Sequence, residues 1–154
     1  MKKHSRVAGI LAAFLVVVGV ALFSKFIQRE RDRTRDAYSL WWAGSIVARA
    51  IEDESIEGKG SFEDFRPEFE KLVEVSGEPF TFEEISARVD VDVALIKQSL
   101  GSDGGRSRYV KLKNKGTYEV FAGTDPNERI RKAIRDAKHQ GEPTGAEDVT
   151  EAND

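Results

Sequence analysis

The rhythm of apolar and polar positions changes sharply along this chain. Residues 7–24, VAGILAAFLVVVGVALFS, carry no charge, and all but Ser24 are apolar or glycine. A helix of that length covers about 27 Å, close to the roughly 30 Å hydrocarbon thickness of a bilayer. Phe26 and Ile27 extend the apolar surface past Lys25, whose long stem can carry its charge to the polar layer. The pattern predicts a tail over residues 1–6 and a transmembrane helix over residues 7–27. A cleaved leader is the competing reading, with MKKHSR as its basic start and Gly19-Val20-Ala21 as a small-residue cleavage site. The length of the run, and the basic helical stretch that follows without a polar break, favour a retained anchor.

A helical rhythm then takes over. Trp42, Ala43, Ile46, Val47, Ala50 and Ile51 recur on one face, which predicts a juxtamembrane helix over residues 28–54. Trp41, Trp42 and Ile46 are its candidate packing residues, against the folded domain or a second copy of the helix. Glycines and charges in EDESIEGKGS break the pattern, so residues 55–60 read as a linker.

Residues 61–124 carry the densest structural signal. Phe65, Phe69, Leu72 and Val73 stand at helical spacing, with Gly77 to stop the helix. Thr81 and Glu84 are spaced as a capping box, and Phe80 and Ile85 as a hydrophobic staple, ahead of a helix over residues 82–88. Val89-Asp90-Val91 reads as a tight turn with Asp90 left-handed, and Asp92 caps a further helix that turns Ile96 and Leu100 inward. Residues 109–113 and 117–121 alternate around Asn-Lys-Gly, which predicts a β-hairpin. Residues 125–140 form a last amphipathic helix opened by Asp125-Pro126, and the acidic residues 141–154 read as a disordered tail.

Helix, capped helix, turn, helix and hairpin in this order resemble a winged helix-turn-helix domain. FTFEEISARVDVDVALIKQSL carries the resemblance, with Asp90 where that family prefers glycine. The expected fold class is α+β and mostly helical: a transmembrane helix and helical stalk, then a small winged-helix-like domain with a hairpin wing. The resemblance implies a third helix that can enter a DNA major groove and a wing that can follow a phosphate backbone. It does not by itself assign a partner, because such folds carry many functions.

Charge decides how the resemblance is read. Residues 61–103 hold four basic and eleven acidic side chains, whereas residues 104–124 hold five basic and one acidic. The candidate partner or nucleic-acid contacts are Lys97, Gln98, Arg106, Arg108, Lys111, Lys113 and Lys115. The third helix lacks the Arg and Asn that base readout usually uses, and an acidic body repels phosphate, so a protein partner is favoured over nucleic acid. Before the apolar run lie Lys2, Lys3 and Arg6, and after it Lys25, Arg29, Arg31, Arg33 and Arg35, a bias that favours a cytoplasmic C-terminal domain.

Enzyme chemistry has no visible seat. There is no cysteine, and the histidines are His4 and His139 alone, so no metal-ligand spacing emerges. GSDGGR lacks the Gly-Lys-Ser/Thr ending of a phosphate loop, and Ala94 and Ile96 occupy ligand positions of an EF-hand-like DVDVALIKQSLG. No enzyme, cofactor or metal is expected. The expected function is a single-pass membrane-anchored adaptor that binds another protein. A membrane-tethered nucleic-acid-binding factor and a structural subunit of a membrane complex, with self-association through the juxtamembrane helix, are the alternatives.

Overall fold

The computed structural model describes residues 2–76, 80–102, 107–113 and 125–141, with backbone alone at 2–13, 76 and 141. It is mostly helical α+β, in the order α1 (Lys2–Glu52), a 3₁₀ turn (Phe62–Phe65), α2 (Arg66–Ser76), α3 (Phe82–Arg88), β1 (Val89–Val91), α4 (Val93–Leu100), β2 (Val110–Leu112) and α5 (Pro126–Gly141). The chain divides into two compact units, residues 1–38 and 39–154.

Unit 1 is helix throughout its described length. From residue 14 to 27 its large apolar side chains are exposed on every side, Leu22 and Phe23 at 64% and 65% among them. Among the described residues, no helix is long and apolar enough to cross a membrane. The first part of the expected span, residues 7–13, lies outside the described side chains.

Unit 2 begins at Ser39, not at residue 61. The expected stalk is therefore no separate element, because the last turns of α1 belong to the folded unit. All six apolar residues of the expected face, Trp42, Ala43, Ile46, Val47, Ala50 and Ile51, are buried there. They join Phe62, Phe65, Phe69, Phe82, Ile85 and Ile96 in one core. Trp42 meets Phe69 edge-on at 6.0 Å between centroids, and Phe69 and Phe82 lie 5.6 Å apart. Gly44 lets α5 come close: a Cβ there would stand 2.5 Å from Cβ of Pro126.

Residues 55–60 do not form a free linker. Helix α1 stops when Glu54 turns left-handed at φ 54°, and the N–H of Ser55 reaches back to the Ala50 carbonyl at 2.9 Å. Ile56 then inserts into the core, 4% exposed. A non-glycine residue closes the helix, within two residues of the expected end at residue 54.

The capped helix forms as its spacing dictates. Thr81 Oγ1 accepts the Glu84 N–H at 3.2 Å while the Glu84 carboxylate accepts the Thr81 N–H at 3.3 Å. Asp92 caps α4 by accepting the Leu95 N–H at 2.9 Å. The segment between the two helices departs from expectation. Val89-Asp90-Val91 is a strand, not a turn with left-handed Asp90, and it pairs antiparallel with β2 in the register Val89↔Leu112, Asp90↔Lys111 and Val91↔Val110. Val89 and Val110 are each 1% exposed, so apolar burial holds the segment extended. Residues 114–124, the second half of the expected hairpin, lie outside the described residues.

Asn127 joins this small sheet to α5. Its buried Oδ1 accepts the N–H groups of Tyr109 and Val110 at 2.8 and 3.0 Å, and its Nδ2 donates to the Val110 carbonyl at 3.3 Å. A side-chain amide thus takes the place of a neighbouring strand at Val110.

Thr81→Ala should cost about 1 kcal/mol through the lost cap, and Ile96→Ala about 2–5 kcal/mol through the cavity left in the core. Denaturant titration of a fragment starting shortly before Ser39 measures both, and a neutral Ile96→Ala would contradict the packing of α4. In the same assay Gly44→Ala should destabilise by about 1–3 kcal/mol, although alanine is the better helix former. A gain in stability there would mean that α1 and α5 do not meet at this glycine.

Candidate functional site

Of the residues expected to touch a partner, Lys97, Lys111 and Lys113 each hold a bond to a protein neighbour. Lys97 on α4 donates to the Glu57 carbonyl at 2.7 Å, tying the helix to the segment after α1. Lys111 pairs with Asp90 across the sheet at 3.0 Å, an exposed ion pair between directly opposed residues. Lys113 donates to the Ser86 carbonyl at 2.6 Å. Gln98 and Arg108 are exposed, while Arg106 and Lys115 lie outside the described residues. The structure therefore places Lys111 on β2, paired with an acid, and Lys113 just past its end, bonded to a carbonyl. Sequence composition shows the cations and hides these partners, because each partner arrives from a different element.

Of the expected packing residues, Trp42 and Ile46 are in the core at 3% and 0% exposure. Trp41 stays 38% exposed, with the Arg129 guanidinium 4.8 Å from its ring centre. Arg129 also donates to Ser45 Oγ on α1. Beside this contact runs an open groove of about 360 Å³ between α1, α2 and α5. Ala48, Leu72 and Ala133 give it an apolar floor, and Arg49, Arg129 and Lys132 stand against Glu52 and Asp136 around it. One turn past Leu72 on α2, Val75 is 88% exposed. Sequence reading missed this groove because its walls come from three elements distant in the chain. The periodicity of α1 and α5 was its available signal.

A buried ionic cluster was also missed. Glu68 on α2 is 3% exposed. The Lys59 ammonium reaches its two carboxylate oxygens at 2.9 and 3.0 Å, and Ser55 Oγ donates to it at 2.9 Å. Burial by itself pushes the Glu68 carboxyl upward, but the hydrogen bonds from Lys59 and Ser55 outweigh it and hold the group below its ordinary value. Lys59 also donates to the Asp64 carbonyl at 2.6 Å. Through these bonds the cluster clamps residues 55–59 onto α2. Among the described residues, no group of His, Cys, Asp and Glu is placed to hold a metal ion.

No protein family, curated protein or solved structure matches this chain.

The Glu68 clamp should make unit 2 sensitive to acid. Its carboxyl lies lower in the folded than in the unfolded chain, so its stabilisation is complete above the ordinary value of 4.5 and is lost as pH falls through the lowered folded value. Urea titrations from pH 6 down to about pH 3 should show this loss in the natural protein and a weaker pH dependence in Glu68→Gln. Lys59→Met should cost about 3–5 kcal/mol at neutral pH by leaving a buried carboxylate unpaired.

Since Lys97, Lys111 and Lys113 already bond to protein neighbours and residues 61–103 are strongly acidic, unit 2 should bind duplex DNA no tighter than the weak end of nonspecific attachment, about 10⁻⁴ M at physiological salt. Fluorescence anisotropy with random duplexes reads this directly. Recovery of a defined sequence motif that Lys97→Ala abolishes would reverse the assignment.

Proposed function

We propose that the protein is a single-pass membrane-anchored adaptor, in which α1 anchors the chain and a winged-helix-like unit 2 docks another protein beside the membrane. The observation that carries this reading is the distribution of exposed side chains on α1. Phe14, Val16, Val17, Val20, Leu22, Phe23 and Phe26 are each at least 60% exposed and surround the helix instead of forming one stripe. A helical partner covers a stripe, whereas lipid covers a cylinder. The uncharged sequence at residues 7–13 extends this band toward bilayer length.

Protein docking is supported by the groove between α1, α2 and α5, whose apolar floor and mixed charged rim suit a peptide or helix. The internal use of Lys97, Lys111 and Lys113 favours this over attachment to nucleic acid. The arginine excess after the apolar band favours a cytoplasmic unit 2.

Alkaline carbonate should leave the protein in the membrane pellet, and the intact mass should retain residues 7–23. A cytoplasm-dependent reporter fused after Asp154 should be active. Release by carbonate, or a mature N-terminus near Leu22, would remove the anchor. Leu72→Asp should abolish nuclease-resistant association with the partner while leaving membrane retention intact.

A further inference from the structure

We propose that the flank of α1 formed by Phe23, Ile27, Arg31 and Arg35 binds an anionic glycerophospholipid, with its phosphate at the two arginines and an acyl chain along Phe23 and Ile27. This rests on the anchor reading and adds the lipid class that the anchor selects. Phe23, Ile27, Arg31 and Arg35 follow one another at four-residue spacing, which places them along one side of the helix. A shallow groove lined by Phe26, Ile27, Glu30, Arg31, Thr34 and Arg35 marks the change from apolar to cationic surface.

Arg31 lies about 6 Å beyond Ile27, inside a headgroup layer of roughly 5–8 Å, whereas Arg35, about 12 Å beyond it, starts past that layer and reaches it by its long side chain. Helical side chains lean toward the N-terminus, so both guanidinium groups lean back toward the apolar band. A planar guanidinium can donate two parallel hydrogen bonds to a phosphate.

Charge favours an anionic headgroup over a zwitterionic one. Lys25, Arg29, Arg31, Arg33 and Arg35 are all exposed, and the same stretch holds the acids Glu30, Asp32 and Asp36. Glu30, the acid that lines the groove, is turned into an ion pair with Arg33 at 3.1 Å. Thr34 donates its hydroxyl hydrogen to the Glu30 carbonyl at 2.9 Å. Arg31 has no ion-pair partner among the described residues. A zwitterionic lipid brings its own ammonium to this cationic collar, and phosphatidylglycerol does not.

The test is native mass spectrometry of the full chain in detergent with equal amounts of phosphatidylglycerol and phosphatidylcholine. With about fivefold in affinity for each cation near an anionic surface, phosphatidylglycerol should be retained in at least fivefold excess. Arg31→Gln/Arg35→Gln should reduce the excess below about twofold, whereas Lys71→Gln/Arg135→Gln on α2 and α5 should leave it unchanged. Equal retention of the two lipids, or an excess that survives Arg31→Gln/Arg35→Gln, overturns the proposal. Carbonate extraction of the same preparations separates the two readings. A chain retained in the pellet without lipid preference keeps its anchor and loses this site, whereas a chain released from the pellet loses both.

Discussion

The apolar face of α1 between Trp42 and Ile51 is the surface on which unit 2 is assembled. Trp42 receives Phe69 from α2, Gly44 receives Pro126 from α5, and Ile46, Val47 and Ile51 are buried in the common core. The end of that helix then sets the path of the chain. Once Glu54 turns left-handed, Ser55 and Lys59 come within reach of Glu68, and Lys97 can bond the Glu57 carbonyl. A helix that looks like a stalk in isolation is therefore the central scaffold of the fold. Removing it would expose the ring faces of the Phe62, Phe65, Phe69 and Phe82 cluster.

Polar chemistry in unit 2 serves this assembly. Asn127 supplies the hydrogen bonds that a neighbouring strand would give to Val110, because its amide carries both a donor and an acceptor. Glu68 can remain charged at 3% exposure because Lys59 and Ser55 replace the water it loses. Lys111 and Lys113 steady β1 and the end of α3. The groove beside α5 combines an apolar floor with a charged rim, which supports the proposed protein partner.

The two units differ in how they place their large apolar side chains. Unit 2 hides its large apolar side chains on one side of each helix, as a folded domain in water must. Unit 1 shows such side chains on all sides, an arrangement that water penalises and hydrocarbon rewards. The proposed anchor, lipid site and docking groove follow from this contrast.

Local chemistry was legible in the sequence wherever its partners sit a few residues apart. The Thr81–Glu84 box, the Asp92 cap and the buried face of α1 all follow from spacing, since helix geometry alone brings those groups together. Val89-Asp90-Val91 failed the same reading because three residues cannot reveal the strand that pairs with them from Val110–Leu112. The roles of Lys97 and Lys113 escaped for the same reason, each depending on a carbonyl from another element. The hydropathy pattern alone marks an uncharged apolar run at residues 7–24 followed by a charged, amphipathic chain. Only tertiary structure could decide that the stalk is core, that the cations are engaged and that a groove opens between α1, α2 and α5, because each depends on contacts between residues far apart in the chain.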